Sequence, residues 1–213
     1  MNSKDSIALA DYRLQVHTHY ADARNSDLTR AESCKAFRKS RDELIGNHSQ
    51  SALSPAQKKA FTKLDYFTYD PSWRFLAEVD EDPDSEILEI PLKEDGLFRL
   101  RRLGKVSFER ENKDNFLTLF WVLGYGGGVF LPFRDTSSLS GATYGGTRYL
   151  LDSIKGAYLG QENGKLILDF NYAYNPSCAY NPIWDCPLAP EENWLDISVL
   201  TGEKAIPAPI NLF

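Results

Sequence analysis

From Tyr66 onward, short runs of β-branched and aromatic residues alternate with clusters of Gly, Asn and Asp. Such runs are typical of β-strands, and the polar clusters between them are typical of turns. They predict strands near residues 73–79, 86–91, 97–103, 105–110, 116–123, 129–134, 147–152 and 165–171. No connection holds a helix long enough to join parallel neighbours. The sequence therefore predicts an antiparallel sheet, curled into a barrel or a sandwich of about eight to nine strands.

The residues before this region follow a helical pattern. Apolar side chains recur at spacings of three and four along a first helix that opens near Ser6, at Leu9, Tyr12, Val16 and Tyr20. A second helix is predicted over about 29–45, with its basic residues facing largely outward: Arg30, Lys35, Arg38, Lys39 and Arg41. Ser54, Pro55 and Gln57 form a capping box that starts a short third helix, which ends near Leu64.

These patterns predict an α+β protein that is mainly β. A helical segment, 1–65, is expected to pack on a β domain, 66–213, that carries a Pro-rich motif loop near its C-terminus. The chain has 213 residues, 42% of them apolar, with a mean hydropathy of -0.41, which is typical of one soluble globular core.

Charge and hydropathy limit the partners. The formal net charge of -6 repels a phosphate backbone, so no nucleic-acid partner is predicted. No run of about 18 apolar residues is present, so no membrane partner is predicted. The N-terminus lacks the apolar core of an export signal, which favours a cytoplasmic location. Oligomeric state is left open.

Cysteines and histidines are few. Three cysteines without an export signal predict reduced thiols: Cys34, Cys178 and Cys186. A bridge between the last two is expected only in an oxidising setting. Their C-x7-C spacing without a nearby histidine makes a poor zinc site, so no metal and no cofactor are predicted. All three histidines precede the β region: His17, His19 and His48. The residue most used as a general base is therefore missing from the later half of the chain.

Two regions are rich in polar motifs. In "FRDTSSLSGATYGGTRYL", residues 133–150, Arg134 ends one predicted strand and Arg148 opens the next. Arginines here can bind a carboxylate or phosphate of a ligand, or pair internally with Asp135 or Asp169.

The second region is residues 169–195. Asp169 and Asn171 point to one side of a predicted strand, which is either solvent or the sheet interior. Two Tyr-Asn-Pro triplets follow, and each proline restricts the asparagine before it, so this segment is not helical over its length. It is either a rigid, self-bonded loop that plugs one end of a barrel or a wall that presents Asn175, Tyr180 and Asn181 to a ligand.

Together these regions resemble the family called domain of unknown function 1684, and the resemblance covers most of the chain after about residue 25. The shared motifs are Phe133-Arg134-Asp135, Thr143-Tyr144-Gly145-Gly146, Arg148-Tyr149-Leu150, Asp169-Phe170-Asn171, Tyr174-Asn175-Pro176, Cys178-Ala179-Tyr180, Cys186-Pro187-Leu188 and Asn193. Thr147 departs from the pattern, since a further glycine is usual there. The resemblance implies no activity, because the family has none assigned.

Three functional hypotheses follow. In the first, a β-barrel pocket binds a small polar or anionic molecule through Arg134, Asp135, Tyr144, Arg148, Asp169, Asn171, Asn175 and Tyr180. In the second, the protein is a hydrolase or lyase that uses Asp169 as base, with Tyr144 or Asn171 polarising the substrate. In the third, it is an interaction module without a pocket, in which the motif side chains bind only the backbone. The first two require the arginine-bearing hairpin and the C-terminal loop to meet in space.

Overall fold

The computed structural model describes residues 2–81, 85–93 and 96–206. Its helices are α1 (Ser3–Arg24), α2 (Arg30–Asn47), α3 (Pro55–Ala60) and α4 (Ser177–Tyr180). The predicted capping box is present, since the Ser54 side chain accepts from the Gln57 N–H and the Gln57 side chain accepts from the Ser54 N–H. A second capping box, of Thr29 and Glu32, starts α2. The third helix ends at Ala60, one turn before the predicted end.

The described residues contain ten strands. They are β1 (Arg74–Ala77), β2 (Val79–Glu81), β3 (Ile87–Leu92), β4 (Gly96–Arg110), β5 (Lys113–Val122), β6 (Gly128–Asp135), β7 (Arg148–Asp152), β8 (Gln161–Glu162), β9 (Lys165–Asp169) and β10 (Trp194–Leu195). The strands predicted at 97–103 and 105–110 are one strand, β4. A register shift between Arg102 and Gly104 interrupts its pairing with β5 without ending it, as a β-bulge does.

The strands form two sheets. One has the order β1-β9-β8. The other has the order β10-β6-β5-β4-β2, with β3 also paired to β4 and β7 also paired to β6. Pairing is antiparallel except between β10 and β6, which run parallel. The predicted α+β fold, mainly β with N-terminal helices, is therefore confirmed. Within the described ranges neither sheet closes into a barrel, and the choice between barrel and sandwich stays a prediction.

Apolar side chains from both sheets share one core. Phe170, just after β9, lies at its centre, with its ring centroid 5.4 Å from that of Trp73 and 5.1 Å from that of Phe108. The Phe133 ring lies 5.3 Å away on a third side. All four side chains are at most 4% exposed. Because close-packed rings fill this centre, the polar side chains of the motifs lie outside it.

The helical segment packs on the body through aromatic side chains. The rings of Tyr20 on α1 and Phe37 on α2 lie 4.8 Å apart, and Phe37 lies 4.8 Å from Tyr172 of the β region. A separate cluster joins Ile45 of α2 to Tyr180 of α4. The division of the chain near residue 65 stays a prediction. Among the residues described, no helix has the length and apolar character needed to cross a membrane.

Candidate functional site

Arg148 and Asp135 form a buried ion pair. Arg148, the first residue of β7, is 1% exposed, and its Nη2 donates to Oδ1 of Asp135, the last residue of β6, over 2.8 Å. The same guanidinium donates to the carbonyl oxygens of Val199 and Thr201 over 2.8 and 2.6 Å. Asp135 Oδ2 accepts from the Val199 N–H and from Ser137. Internal pairing of Arg148 with Asp135 is thus confirmed, and the pair holds the C-terminal segment against the sheet.

Asn171 joins the same network. Its Nδ2 donates to the Asp70 carbonyl oxygen and to Asp169 Oδ1 over 2.8 and 2.9 Å. Its Oδ1 accepts from the Asp70 N–H and from Thr201 Oγ1. Thr201 therefore links Arg148 to the pair of Asp169 and Asn171. The arginine-bearing hairpin and the C-terminal loop touch directly, through the bridge between Tyr149 and Tyr174. They are also linked through this third segment, 199–203, whose importance the sequence did not reveal.

Gly202 allows the close approach of that segment. Its φ of 76° lies in the left-handed region, and a Cβ atom there would lie 2.7 Å from the carbonyl oxygens of Phe170 and Ala173. A side chain at this position would be strained and would also clash with backbone.

Glu203 is the centre of a second buried network. It is 1% exposed, and Arg41 Nη2 lies 3.2 Å from its Oε2. The Tyr180 hydroxyl donates to the same carboxylate, as do the backbone N–H and Nδ2 of Asn175, over 3.1 and 3.2 Å. Asn175 and Tyr180 thus bind an internal carboxylate. The prediction that Arg41 faces outward is wrong: it is 8% exposed, because Glu203, distant in sequence, supplies its counter-charge.

Arg134 and Tyr144 lie apart from these networks. The Arg134 guanidinium stacks 4.8 Å from the Trp194 ring centroid, and its Nε donates to Ser138 Oγ over 3.2 Å. The Tyr144 hydroxyl donates to Cys178 Sγ over 3.7 Å. Tyr144 therefore contacts a thiol, and Asp169 has other neighbours, so the predicted pairing of these two residues in catalysis lacks support.

One predicted residue, Asp169, lines an open cleft. The cleft lies between the α1–α2 connection and the β1-β9-β8 sheet, has a volume of about 530 Å³, and is named the helix–sheet cleft below. Its charged and aromatic lining comprises Arg24, Arg30, Arg74, Glu162, Asp169 and Tyr172. Sequence reasoning missed the other five, because they come from four separate stretches of chain with no shared motif.

The lining combines three arginines with two carboxylates. Arg74 of β1 is the register partner of Asp169 on β9, and its Nη2 binds Glu162 Oε2 over 2.7 Å. Arg30, at the start of α2, lies 3.8 Å from the same oxygen, and its side chain is 64% exposed. The cleft thus carries an excess of positive charge, and Arg30 is the arginine whose guanidinium is freest to meet a solute.

Asp169 is 3% exposed. Its Oδ1 accepts both Asn171 bonds, from the backbone N–H over 3.0 Å and from Nδ2. No residue in the described ranges donates to Oδ2. Burial raises the pKa of Asp169, while the Asn171 bonds and the charges of Arg74 and Arg30 oppose this shift. A carboxyl with a raised pKa at a cleft wall is a common feature of functional sites.

The chain is therefore an α+β protein with buried ionic networks that fix its C-terminal segment and with a charged cleft on one flank. Residues 59–204 match the family model described as protein of unknown function (DUF1684), and the chain belongs to this family, as the motifs predicted. It is similar to the solution NMR structure of an uncharacterised protein from Haloarcula marismortui, with 30% identity and a TM-score of 0.58. The match covers 81% of this chain and 92% of that one. No curated protein matches.

Replacing Arg148 tests its structural role. Arg148→Met leaves Asp135 charged and buried without its partner, so we expect the free energy of unfolding, measured in urea, to fall by about 3–5 kcal/mol. Arg134→Met is the matched control in the same hairpin. It is partly exposed and stacks on Trp194, so its loss is expected to be at most about 1 kcal/mol. An equal decrease in the free energy of unfolding for the two variants would contradict the structural role of Arg148.

The raised pKa of Asp169 makes a prediction about pH. An unfolded aspartate titrates near roughly 3.9. Because the folded pKa lies higher, ionisation of Asp169 reduces stability as the pH rises from that value through the folded pKa. Asp169→Asn keeps an acceptor for Asn171 and removes this effect. We expect the variant to gain stability relative to the unchanged protein between pH 4 and pH 7 in urea unfolding. If the variant instead loses stability relative to the unchanged protein over that interval, the hydrogen bonds and charges around Asp169, and not its burial, determine its pKa.

Proposed function

We propose that this chain binds a small polar or anionic molecule in the helix–sheet cleft. The observation that carries the proposal is the cleft itself, about 530 Å³ in volume, with an excess of arginine and a buried carboxyl in its wall. Binding sites for small molecules are typically of about this size and have a few convergent polar groups. Neither the family description nor the name of the similar protein mentions a ligand.

The lining suggests which chemical groups the ligand carries. Arg30 and Arg74 favour a carboxylate or phosphate, because guanidinium binds these groups through two parallel hydrogen bonds. Asp169 Oδ2 favours a hydroxyl or amine donor on the same molecule. The Tyr172 ring provides an apolar wall. A small acid that also bears a hydroxyl group fits these three features.

This location differs from the predicted barrel pocket. The first hypothesis placed the ligand among Arg134, Arg148, Asp169 and Asn171, inside a closed sheet. Arg148 and Asn171 are buried and bonded to internal partners, as the interaction-module hypothesis expected of the motif side chains. The cleft beside Asp169 favours ligand binding over that hypothesis. A site on the flank needs no closed barrel, so the proposal holds for either sheet architecture.

Composition bears on the partners of the protein. We infer a cytoplasmic protein that binds neither nucleic acid nor membrane; the net charge of -6 supports the absence of these two partners. A cationic cleft in an acidic protein concentrates small anions locally while the remaining surface repels polyanions.

Substitution of Arg30 tests the site. We expect a panel of small hydroxy acids and phosphate monoesters to contain a compound that raises the melting temperature of the unchanged protein. Arg30→Met removes a charge-assisted bond and should weaken binding of that compound about tenfold in calorimetric titration. Arg13→Met, an exposed arginine on α1 outside the cleft, is the matched control and should bind normally. Equal weakening by both variants would reflect net charge alone and would count against the cleft.

A second candidate is an enzyme of hydrolase or lyase type with Asp169 as base. The raised pKa of this carboxyl and its place in the cleft wall favour it. Tyr172, which also lines the cleft, replaces the predicted Tyr144 as its neighbour. Ester and phosphoester panels should show turnover that Asp169→Asn abolishes and Arg13→Met retains. Equal rates for the unchanged protein and Asp169→Asn would leave ligand binding as the only candidate.

A further inference from the structure

Cys178, in α4, lies next to Cys186 in space, and neither residue lines the helix–sheet cleft. The backbone N–H of Cys178 donates to Cys186 Sγ over 3.3 Å. A backbone donor is thus aimed at the Cys186 sulfur. Such a donor favours the thiolate of Cys186 over its thiol.

The groups around the pair favour a thiolate at Cys186. The Cys178 thiol is the largest cause that lowers the pKa of Cys186, to about 7, and the backbone N–H groups of Cys178 and Ser177 and the charge of Lys155 add to it, while burial opposes. Interaction with Cys186 raises the pKa of Cys178, and burial raises it further. Tyr144 and Tyr149 also lie near the pair, and their raised pKa values keep both hydroxyls neutral.

The third cysteine provides an internal contrast. Cys34 is 0% exposed, and burial raises its pKa to about 12. Cys178 and Cys186 are partly exposed. The chain thus contains one inert, buried thiol and one accessible pair in which the two sulfurs differ in their affinity for a proton.

Metal binding is a weaker explanation for the pair. A structural zinc site normally has four ligands. Within the described part of the chain, no third Cys, His, Asp or Glu joins the two sulfurs in a cluster that could hold a metal ion. The Cys178 N–H also gives Cys186 Sγ a hydrogen bond without a metal.

We propose that Cys186 and Cys178 form a dithiol site that reduces small-molecule disulfides, with Cys186 as the attacking thiolate and Cys178 as the resolving thiol. The proposal is independent of the helix–sheet cleft and of any ligand bound there.

The reaction has two exchange steps. Cys186 Sγ attacks one sulfur of a disulfide RSSR, which forms a mixed disulfide on Cys186 and releases RS⁻. Cys178 then loses its proton to solvent and attacks Cys186 Sγ, which closes the protein disulfide and releases a second RS⁻. The two thiolates take up the two protons that the protein dithiol gives up, so the products are one protein disulfide and two RSH. The protein is oxidised by two electrons and the small disulfide is reduced by two.

The direct test uses 2-hydroxyethyl disulfide as the probe, with the fully reduced chain and oxygen excluded. The unchanged protein should lose two hydrogen atoms by intact mass, and peptide mapping should find the bond between Cys178 and Cys186 with Cys34 unmodified. Because this arm needs no substitution, it stands even if a variant fails to fold. An unmodified protein, a stable adduct on each thiol, or modification of Cys34 alone would overturn the proposal.

Two serine variants assign the roles. Cys178→Ser keeps a hydroxyl that can donate to Cys186, and it should accumulate one adduct on Cys186, because the resolving thiol is missing. Cys186→Ser should form its adduct about tenfold more slowly at pH 6, where the difference in thiolate fraction outweighs the lower nucleophilicity of the more acidic thiol. Circular dichroism checks that both variants fold. Equal rates, or faster adduct formation at Cys178, would overturn the assignment of roles.

Discussion

The buried pair of Arg148 and Asp135 is the interaction on which the arrangement of this protein depends. Both side chains are almost completely removed from solvent, so each charge requires the other together with further hydrogen bonds. The carbonyl oxygens of Val199 and Thr201 accept from Arg148, and the Val199 N–H donates to Asp135. The ion pair therefore fixes the C-terminal segment as well as the hairpin, and a chain without that segment would leave the pair unsatisfied.

Other polar contacts follow from the position of that segment. Thr201 reaches Asn171, which in turn holds Oδ1 of Asp169 and orients this carboxyl at the cleft wall. Two residues later Glu203 receives Arg41 from α2 and Tyr180 from α4. The C-terminal segment thus connects the hairpin, the motif loop and the helical segment through buried charges. Such networks favour one arrangement of the chain, because partial satisfaction of buried charges is costly.

The helix–sheet cleft and the dithiol pair differ in how their polar groups are held in place. In the cleft, Arg74 and Asp169 are positioned by internal partners, while the exposed Arg30 completes the lining. At the dithiol pair, the backbone N–H of Cys178 donates to the partly exposed sulfur of Cys186. Arg24 and Arg30 precede the part of the chain that matches the family model, whereas both cysteines lie within it. The helical segment therefore contributes to the cleft, whereas the described hydrogen bonds to the Cys178 and Cys186 sulfurs come from Tyr144 and from the Cys178 backbone.

Local patterns in the sequence determined most of the longer strands, the capping box at Ser54, the α+β class and the family, because each depends on residues close together in the chain. The short strands β8 and β10 were not predicted, and β4 was predicted as two strands. Arg148 was identified as notable, and its pairing with Asp135 was one of two alternatives. Only the tertiary structure chose between them, since the choice depends on where Val199 and Thr201 lie. The burial of Arg41, the lining of the cleft and the contact of Cys178 with Cys186 were likewise decided in three dimensions. Each of these features depends on contacts between residues from separate segments of the chain. The periodicity of a sequence indicates which face of a helix or strand a residue occupies, but it does not indicate which distant residue that side chain contacts.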